Sequence, residues 1–234
     1  MNNKVCAPND QRSPRAGIRP LAKAAIAALA LASVPAFADT GYSEASSGDL
    51  SNVGTSPTAV TLGIGSNFIN GTTGSDGTTI DRDYFTFTLD PGQALVAIQV
   101  LDGTNSIPNA TPGDLARSFI GIEGGSVVDT LSDPSKLLGY THYNQSMIGT
   151  DILDDIGAGA GAQGFTPPLG AGSYSVWIQE ANVGTAHYFF NFLVASVPES
   201  STWAMMLSGF GLIGWSMRRS QKRNGPSSAR SLAI

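Results

Sequence analysis

The chain of 234 residues is poor in cysteine, histidine and charge. Its one cysteine, Cys6, stands near the start, so residues 39–217 contain no disulfide, no thiol nucleophile and no thiolate metal site. The two histidines, His142 and His187, are far apart in sequence and share neither helical nor paired-ligand spacing. No G-x-S-x-G nucleophile elbow occurs, and no serine has a histidine in a supporting local pattern. Bases are scarce in the middle: between 39 and 217, Arg82, Arg117 and Lys136 face 17 acids. A surface of that sign excludes nucleic acid as a partner, because binding it requires cations that displace condensed counterions. What the chain has in quantity is glycine, 28 residues, with Thr, Ser and Asp around it. That composition favours a loop-rich β domain over a helical bundle.

The remaining bases gather at the two ends. Lys4, Arg12, Arg15, Arg19 and Lys23 precede an apolar run over 24–34, and Ala36 and Ala38 then occupy the small-residue positions of an A-x-A site. This pattern predicts a signal peptide over 1–38, cut by signal peptidase so that the mature chain starts at Asp39. A core helix is the plainer alternative. At the other end, 201–217 carries no charge and holds Trp203, Phe210, Leu212, Ile213 and Trp215. As a helix it reaches about 25 Å, a little less than a hydrocarbon core of ~30 Å. Arg218, Arg219, Lys222 and Arg223 follow at once and act as a stop-transfer cluster kept in the cytoplasm. The expected organisation is a signal peptide, an exported domain over 39–196, a terminal segment over 197–223 with one transmembrane helix, and a disordered tail over 224–234. The alternative for 201–217 is a helix packed on the domain.

Within 39–196 the periodicity is that of strands. In DYFTFTL, Phe85, Phe87 and Leu89 share one face, and Tyr84, Thr86 and Thr88 the other. Asp90-Pro91-Gly92-Gln93 is a turn, and 95–101 is apolar on both faces except at Gln99. SYSVWIQE (173–180) and HYFFNFLVA (187–195) alternate and are separated by a short polar loop, which predicts a hairpin. Weaker strands are expected at 59–62, 67–70, 118–123 and 126–129, and a helical turn within 148–156 capped by Thr150 or Asp151. GAGAGAQG (157–164) has little to pack and is expected to be a mobile loop. The fold class is therefore all-β, an antiparallel β-sandwich or jelly roll.

Two stretches are similar to known families. Val197-Pro198-Glu199, then STWAMM from Ser201, an apolar helix and Arg218-Arg219 resemble the PEP-CTERM sorting signal of Gram-negative bacteria. The box departs from the family pattern at its second proline, where this chain has Ser200. The resemblance implies that exosortase removes the tail and that the product reaches the cell surface or the extracellular space, often where exopolysaccharide is made. In addition, SEASSGDLSN (43–52), DRDYFTFTLDPGQ (81–93) and LGAGSYSVWIQE (169–180) resemble, in that order, the bacterial pre-peptidase C-terminal domain, a small jelly roll that binds rather than catalyses.

Calcium is the candidate cofactor, although none is required. Asp76, Asp81 and Asp83 fall close together before a strand, and carboxylates on a turn are the hard oxygen ligands Ca²⁺ takes. The family resemblance implies the set Glu44, Asp49, Asp81 and Asp83. The plainer reading is that Asp81 and Asp83 cap a turn and protect a strand edge. Tyr140 and Tyr143 are candidates for stacking on exopolysaccharide, as are Trp177 and Tyr174, with core packing as the alternative. The expected function is that of a non-enzymatic surface or matrix protein. Its expected partners are exosortase, signal peptidase, the cytoplasmic membrane in transit, and exopolysaccharide. A secreted hydrolase using paired acids and a permanently membrane-anchored protein are the alternatives.

Overall fold

The computed structural model describes residues 40–108, 118–129, 133–197 and 200–223. Its strands are β1 Thr40–Ser43, β2 Thr58–Ala59, β3 Gly65–Ser75, β4 Ile80–Leu89, β5 Gln93–Val100, β6 Ser118–Gly124, β7 Gly139–Tyr143, β8 Gly172–Gln179 and β9 Gly184–Ser196. Two short helices, α1 Glu44–Ser47 and α2 Leu153–Gly157, interrupt them, and α3 Ser200–Arg223 follows β9.

The strands form one sheet in the order β5-β9-β3-β4-β8-β6-β7, with β1 parallel to β3 and β2 parallel to β4. β3 and β4 pair only at Gly74↔Asp81 and Ser75↔Ile80; beyond that point β3 runs along β9 and β4 along β8. There the sheet curls on itself, so the expected all-β sandwich is present as a folded-over, mostly antiparallel sheet. The period-two alternation explains why it closes. Phe85, Phe87 and Leu89 of β4, Ile69 of β3, Ile98 of β5, Ile120 of β6, Val176 and Ile178 of β8 and Phe190 and Phe192 of β9 all point inward and are buried. Phe192 meets Phe85 and Phe87 edge to face, at 5.6 and 6.1 Å between ring centres, which joins the two layers. Each such side chain contributes roughly 1.5–3 kcal/mol by leaving water.

Four expectations change. The link from β8 to β9 is not a hairpin: β8 pairs with β4 and β6, and β9 with β3 and β5, so the chain crosses from one layer to the other. Both edges of each strand are taken by other partners, and the Glu180 carboxylate holds the crossing by accepting from the backbone N–H groups of Asn182 and Ile107. Residues 126–129 form no strand. Val128 instead bonds Gly54 and packs with Tyr84 and Trp177 in a second cluster on the outer face. The glycine-rich 157–164 loop is anchored, because Gln163 and Gly164 donate to the carbonyls of Leu137 and Leu138, and the Tyr140 hydroxyl donates to Ala160. The helical turn forms at Leu153–Gly157, but its N-cap position is Ile152 rather than Thr150 or Asp151; Asp151, one residue earlier, accepts from the N–H of Leu153.

Helix α3 spans the expected apolar stretch, and its described residues Leu207, Phe210, Leu212, Ile213 and Trp215 are exposed rather than part of the core. Among the described residues no helix is long and apolar enough to cross a membrane. The stretch expected to cross is helical, and Ser208, Gly209, Gly211 and Gly214 interrupt its apolar side chains. The cleavage residues Ala36, Ala38 and Asp39 lie outside the described residues, as do Pro198 and Glu199 of the box and the tail from 224. Arg218, Arg219, Lys222 and Arg223 lie in the last turns of α3.

Candidate metal centre

β1 lies along β3 in the register Thr40↔Asn67 to Ser43↔Asn70. The Thr40 hydroxyl donates to Asn67 Oδ1 and the Ser43 hydroxyl to Asn70 Oδ1, at 2.9 Å for the second pair. Because β1 ends at Ser43, the next outward N–H of β3, that of Thr72, has no strand partner. Glu44, the first residue of α1, takes it through Oε2 at 2.8 Å, while Oε1 accepts from the N–H of Leu50 at 3.1 Å. Gly71 sits beneath that carboxylate and opposite Tyr188 of β9. A Cβ at this position would collide with the Glu44 carboxyl and the Tyr188 hydroxyl.

Three acids converge here: Glu44, Asp49 and Asp83 each place a carboxylate oxygen within 4.8 Å of the others. Asp49 is exposed, whereas Asp83, on the inner face of β4, is 0 % exposed. Neither Asp83 oxygen has a hydrogen-bond partner, and neither does the buried Tyr188 hydroxyl. That hydroxyl is close enough to hold the Asp83 pKa down somewhat, but no aligned hydrogen bond joins the two. Burial dominates, with Glu44, Asp81 and Asp49 adding repulsion, and the Asp83 pKa is pushed up to about 8. The same field raises Tyr42, first through burial and then through Glu44, Asp49 and Asp83. An unpartnered buried carboxylate is costly unless a cation or a proton meets it. Ca²⁺ takes its ligand oxygens at about 2.3–2.6 Å, so ligands across the ion stand up to ~5 Å apart. The spread of these acids fits that span, and the orphaned oxygens of Asp83 supply the reason for an ion. Calcium would be held by Glu44, Asp49 and Asp83.

Of the four residues the resemblance implied, three therefore meet. Asp81 does not join them: it stands two residues from Asp83 on the same strand and lines a neighbouring recess with Asn52, Ser75 and Asp76. Burial, with repulsion from Asp49 and Glu44, raises its pKa. Asp76 is a turn residue, whose Oδ1 accepts from the N–H groups of Thr78 and Thr79. Sequence reasoning missed Tyr188 and Gly71, which meet only through the pairing of β3 with β9 and carry no local signal.

The stacking pair does not survive. Tyr143 is 1 % exposed, with its ring edge-on to Phe190 at 4.9 Å, and no ligand reaches it. An odd spacing along a strand puts Tyr140 and Tyr143 on opposite faces. Tyr140 stacks on Phe119 at 5.7 Å on the outer face, and Trp177 is buried beside it. Tyr174 packs partly buried against the core.

In front of Glu44 and Asp49 lies an open cleft of about 650 Å³, whose other walls include Asn70, Thr72, His187 and Phe189. No family model matches the chain, and no curated protein matches it. Among solved structures it is similar to the pre-peptidase C-terminal domain of collagenase from Bacillus anthracis, at 13 % identity and a TM-score of 0.31, over 58 % of this chain and 93 % of that one. A likeness of that size decides neither fold nor function.

Proposed function

We propose that the chain is an exported, non-enzymatic β-sandwich module that is locked by calcium and works at the outer surface of a Gram-negative cell. The observation that carries the calcium reading is Asp83, buried with both oxygens unpartnered and within 4.8 Å of Glu44 and Asp49. The ion would tie the β1–α1 segment, through Glu44 and Asp49, to β4 inside the sandwich.

Delivery rests on the ends of the chain. The basic and apolar start with its A-x-A site supports export, and the resemblance of 197–223 to the PEP-CTERM signal supports removal of the tail by exosortase. A short apolar helix diluted by glycine and followed by bases suits a transient hold on the bilayer better than a permanent one. The destination is the surface or the matrix, with polysaccharide as the partner.

Thermal unfolding of the full chain in millimolar calcium and in chelator tests the metal. A cation at about 100 times its Kd adds roughly 2.7 kcal/mol, or about 5–10 °C for a domain of this size. Equal melting temperatures in the two buffers would remove calcium from the function. Mass spectrometry of the native product tests delivery: termini near Asp39 and at the box support it, and an uncut chain ending at Ile234 contradicts it.

A further inference from the structure

Strands β3, β5 and β9 contain no Asp, Glu, Lys or Arg, in a domain rich in acids. In the facing layer β4 alone carries Asp81, Arg82 and Asp83. Since Ile69, Ile98 and Phe190 turn into the core, alternation sends Phe68 and Asn70 of β3, Phe189 and Asn191 of β9 and Gln99 of β5 to the outer face. The register sets them out as a chequer. Phe68 stands opposite Asn191, Asn70 opposite Phe189, and Gln99 beyond Asn191 on β5. The two rings therefore meet on the diagonal, edge to face at 5.9 Å, and both are half-buried. The amides around them are tied in place. Asn191 Oδ1 accepts from the Asn67 N–H at 3.1 Å, and the Asn191 NH₂ donates to Gln99 Oε1 at 3.1 Å and to the Ser66 hydroxyl at 3.3 Å. That leaves the Gln99 NH₂ to donate outward. Asn70 Oδ1 accepts from the Ser43 hydroxyl at 2.9 Å, which leaves the Asn70 NH₂ likewise.

This surface offers aromatic rings with amide donors on either side and no charge. The missing charge gives an ionic ligand nothing to pair with. An apolar ligand would cover the amides and leave them without partners. A sugar unit meets both demands, because its C–H face covers a ring and its hydroxyls take the amide donors. An open sheet face, unlike a pocket, also suits an extended chain. We infer that the outer face of β3, β9 and β5 binds a neutral polysaccharide, with sugar rings on Phe68 and Phe189 and hydroxyl oxygens accepting from the Gln99 and Asn70 amides. The inference rests on the polysaccharide reading above and gives that partner a place; it draws on neither the acids nor calcium. Rings held by their own packing and amides already tied on one side lose little freedom on binding.

Calorimetry of the full chain with cellohexaose, an extended neutral chain, tests this in calcium and in chelator. Saturable binding in the millimolar range, equal in the two buffers, is expected. Phe68→Ala and Phe189→Ala should each weaken it about fivefold, whereas Phe189→Tyr, which keeps the ring, should preserve it. Gln99→Met keeps the length of the side chain, removes the donor and should also weaken binding about fivefold. Ring variants that fold and bind like the parent overturn the inference; if they fail to fold, parental binding by Gln99→Met overturns it. Binding that needs calcium moves the sugar to the acids and overturns it too. So does a parent dimer that Phe189→Ala dissociates, which would give the face to a second copy. Polygalacturonate, an anionic chain, separates this inference from the reading beneath it. If it alone binds, the polysaccharide partner stands and this face is overturned; if neither chain binds, both fall.

Discussion

Asp83 concentrates the chemistry of this protein in one side chain. A carboxyl whose folded pKa is raised to about 8 keeps its proton where the unfolded chain, near ~3.9, has lost it. Without calcium, its effect on stability is therefore favourable at low pH and is lost progressively as pH rises from about 4 to about 8. Asp83→Asn keeps the shape and removes the charge. In chelator at pH 8 the variant should melt about 2–4 °C above the parent, at about pH 4 the two should coincide, and calcium should no longer raise its melting point. Asp76 shows the opposite sign. The Thr78 hydroxyl and the N–H groups of Thr79 and Thr78 hold its pKa down to about 2. Its contribution is present above about pH 4 and lost as pH falls through about 2. Urea titrations of Asp76→Ala should show a destabilisation at pH 7 that shrinks below pH 4; a constant difference would mean that the charge on Asp76 does not matter. At this scale the acids were legible, since Glu44, Asp49 and Asp83 stand in recognisable surroundings. Their neighbour Tyr188 was not, because nothing near it in sequence marks it as lying beside Asp83.

Elements were legible as strands and not as neighbours. Alternation identified β4, β8 and β9, and Asp90-Pro91-Gly92-Gln93 forms the expected turn, closed by the Gln93 N–H on the Asp90 carbonyl at 2.9 Å with Gly92 at φ +83°. Yet β4 and β5 lie in different layers, as do β8 and β9, so two connections that look like hairpins are arches. A short loop is compatible with either, and the choice depends on which distant strand occupies each edge. The same pairing sets Gly71 against Tyr188 and leaves room for Glu44. Gly71→Ala should push the Glu44 carboxylate off its seat and cost about 1–3 kcal/mol through overpacking. Loss of the calcium-dependent rise in melting point, in a variant that still folds, checks it; an unchanged rise would show that Glu44 is not a ligand.

On the scale of the whole molecule, the sandwich and the terminal helix answer to different rules. The core clusters draw on β3 to β9 and on α2, and none of the described residues of α3 belongs to them. Removing residues 200–234 should therefore leave the melting temperature within about 1–2 °C of the full chain, while reducing its association with detergent micelles, since surface changes away from the core seldom exceed about 0.5 kcal/mol. A larger fall, measured by calorimetry, would show that the helix packs on the domain.

Composition and period two, by themselves, determined an acidic, thiol-free β domain with basic, apolar ends, because burial on one face of a strand imposes alternation wherever the strand ends up. The tertiary structure decided what lies beside what. The short β3–β4 junction curls the sheet, the curl sends β8 and β9 to opposite layers, and only then do Asp83, Glu44, Asp49 and Tyr188 share one space. Local pattern specifies which face of each strand is buried; long-range pairing, which no single segment encodes, specifies the company that face keeps.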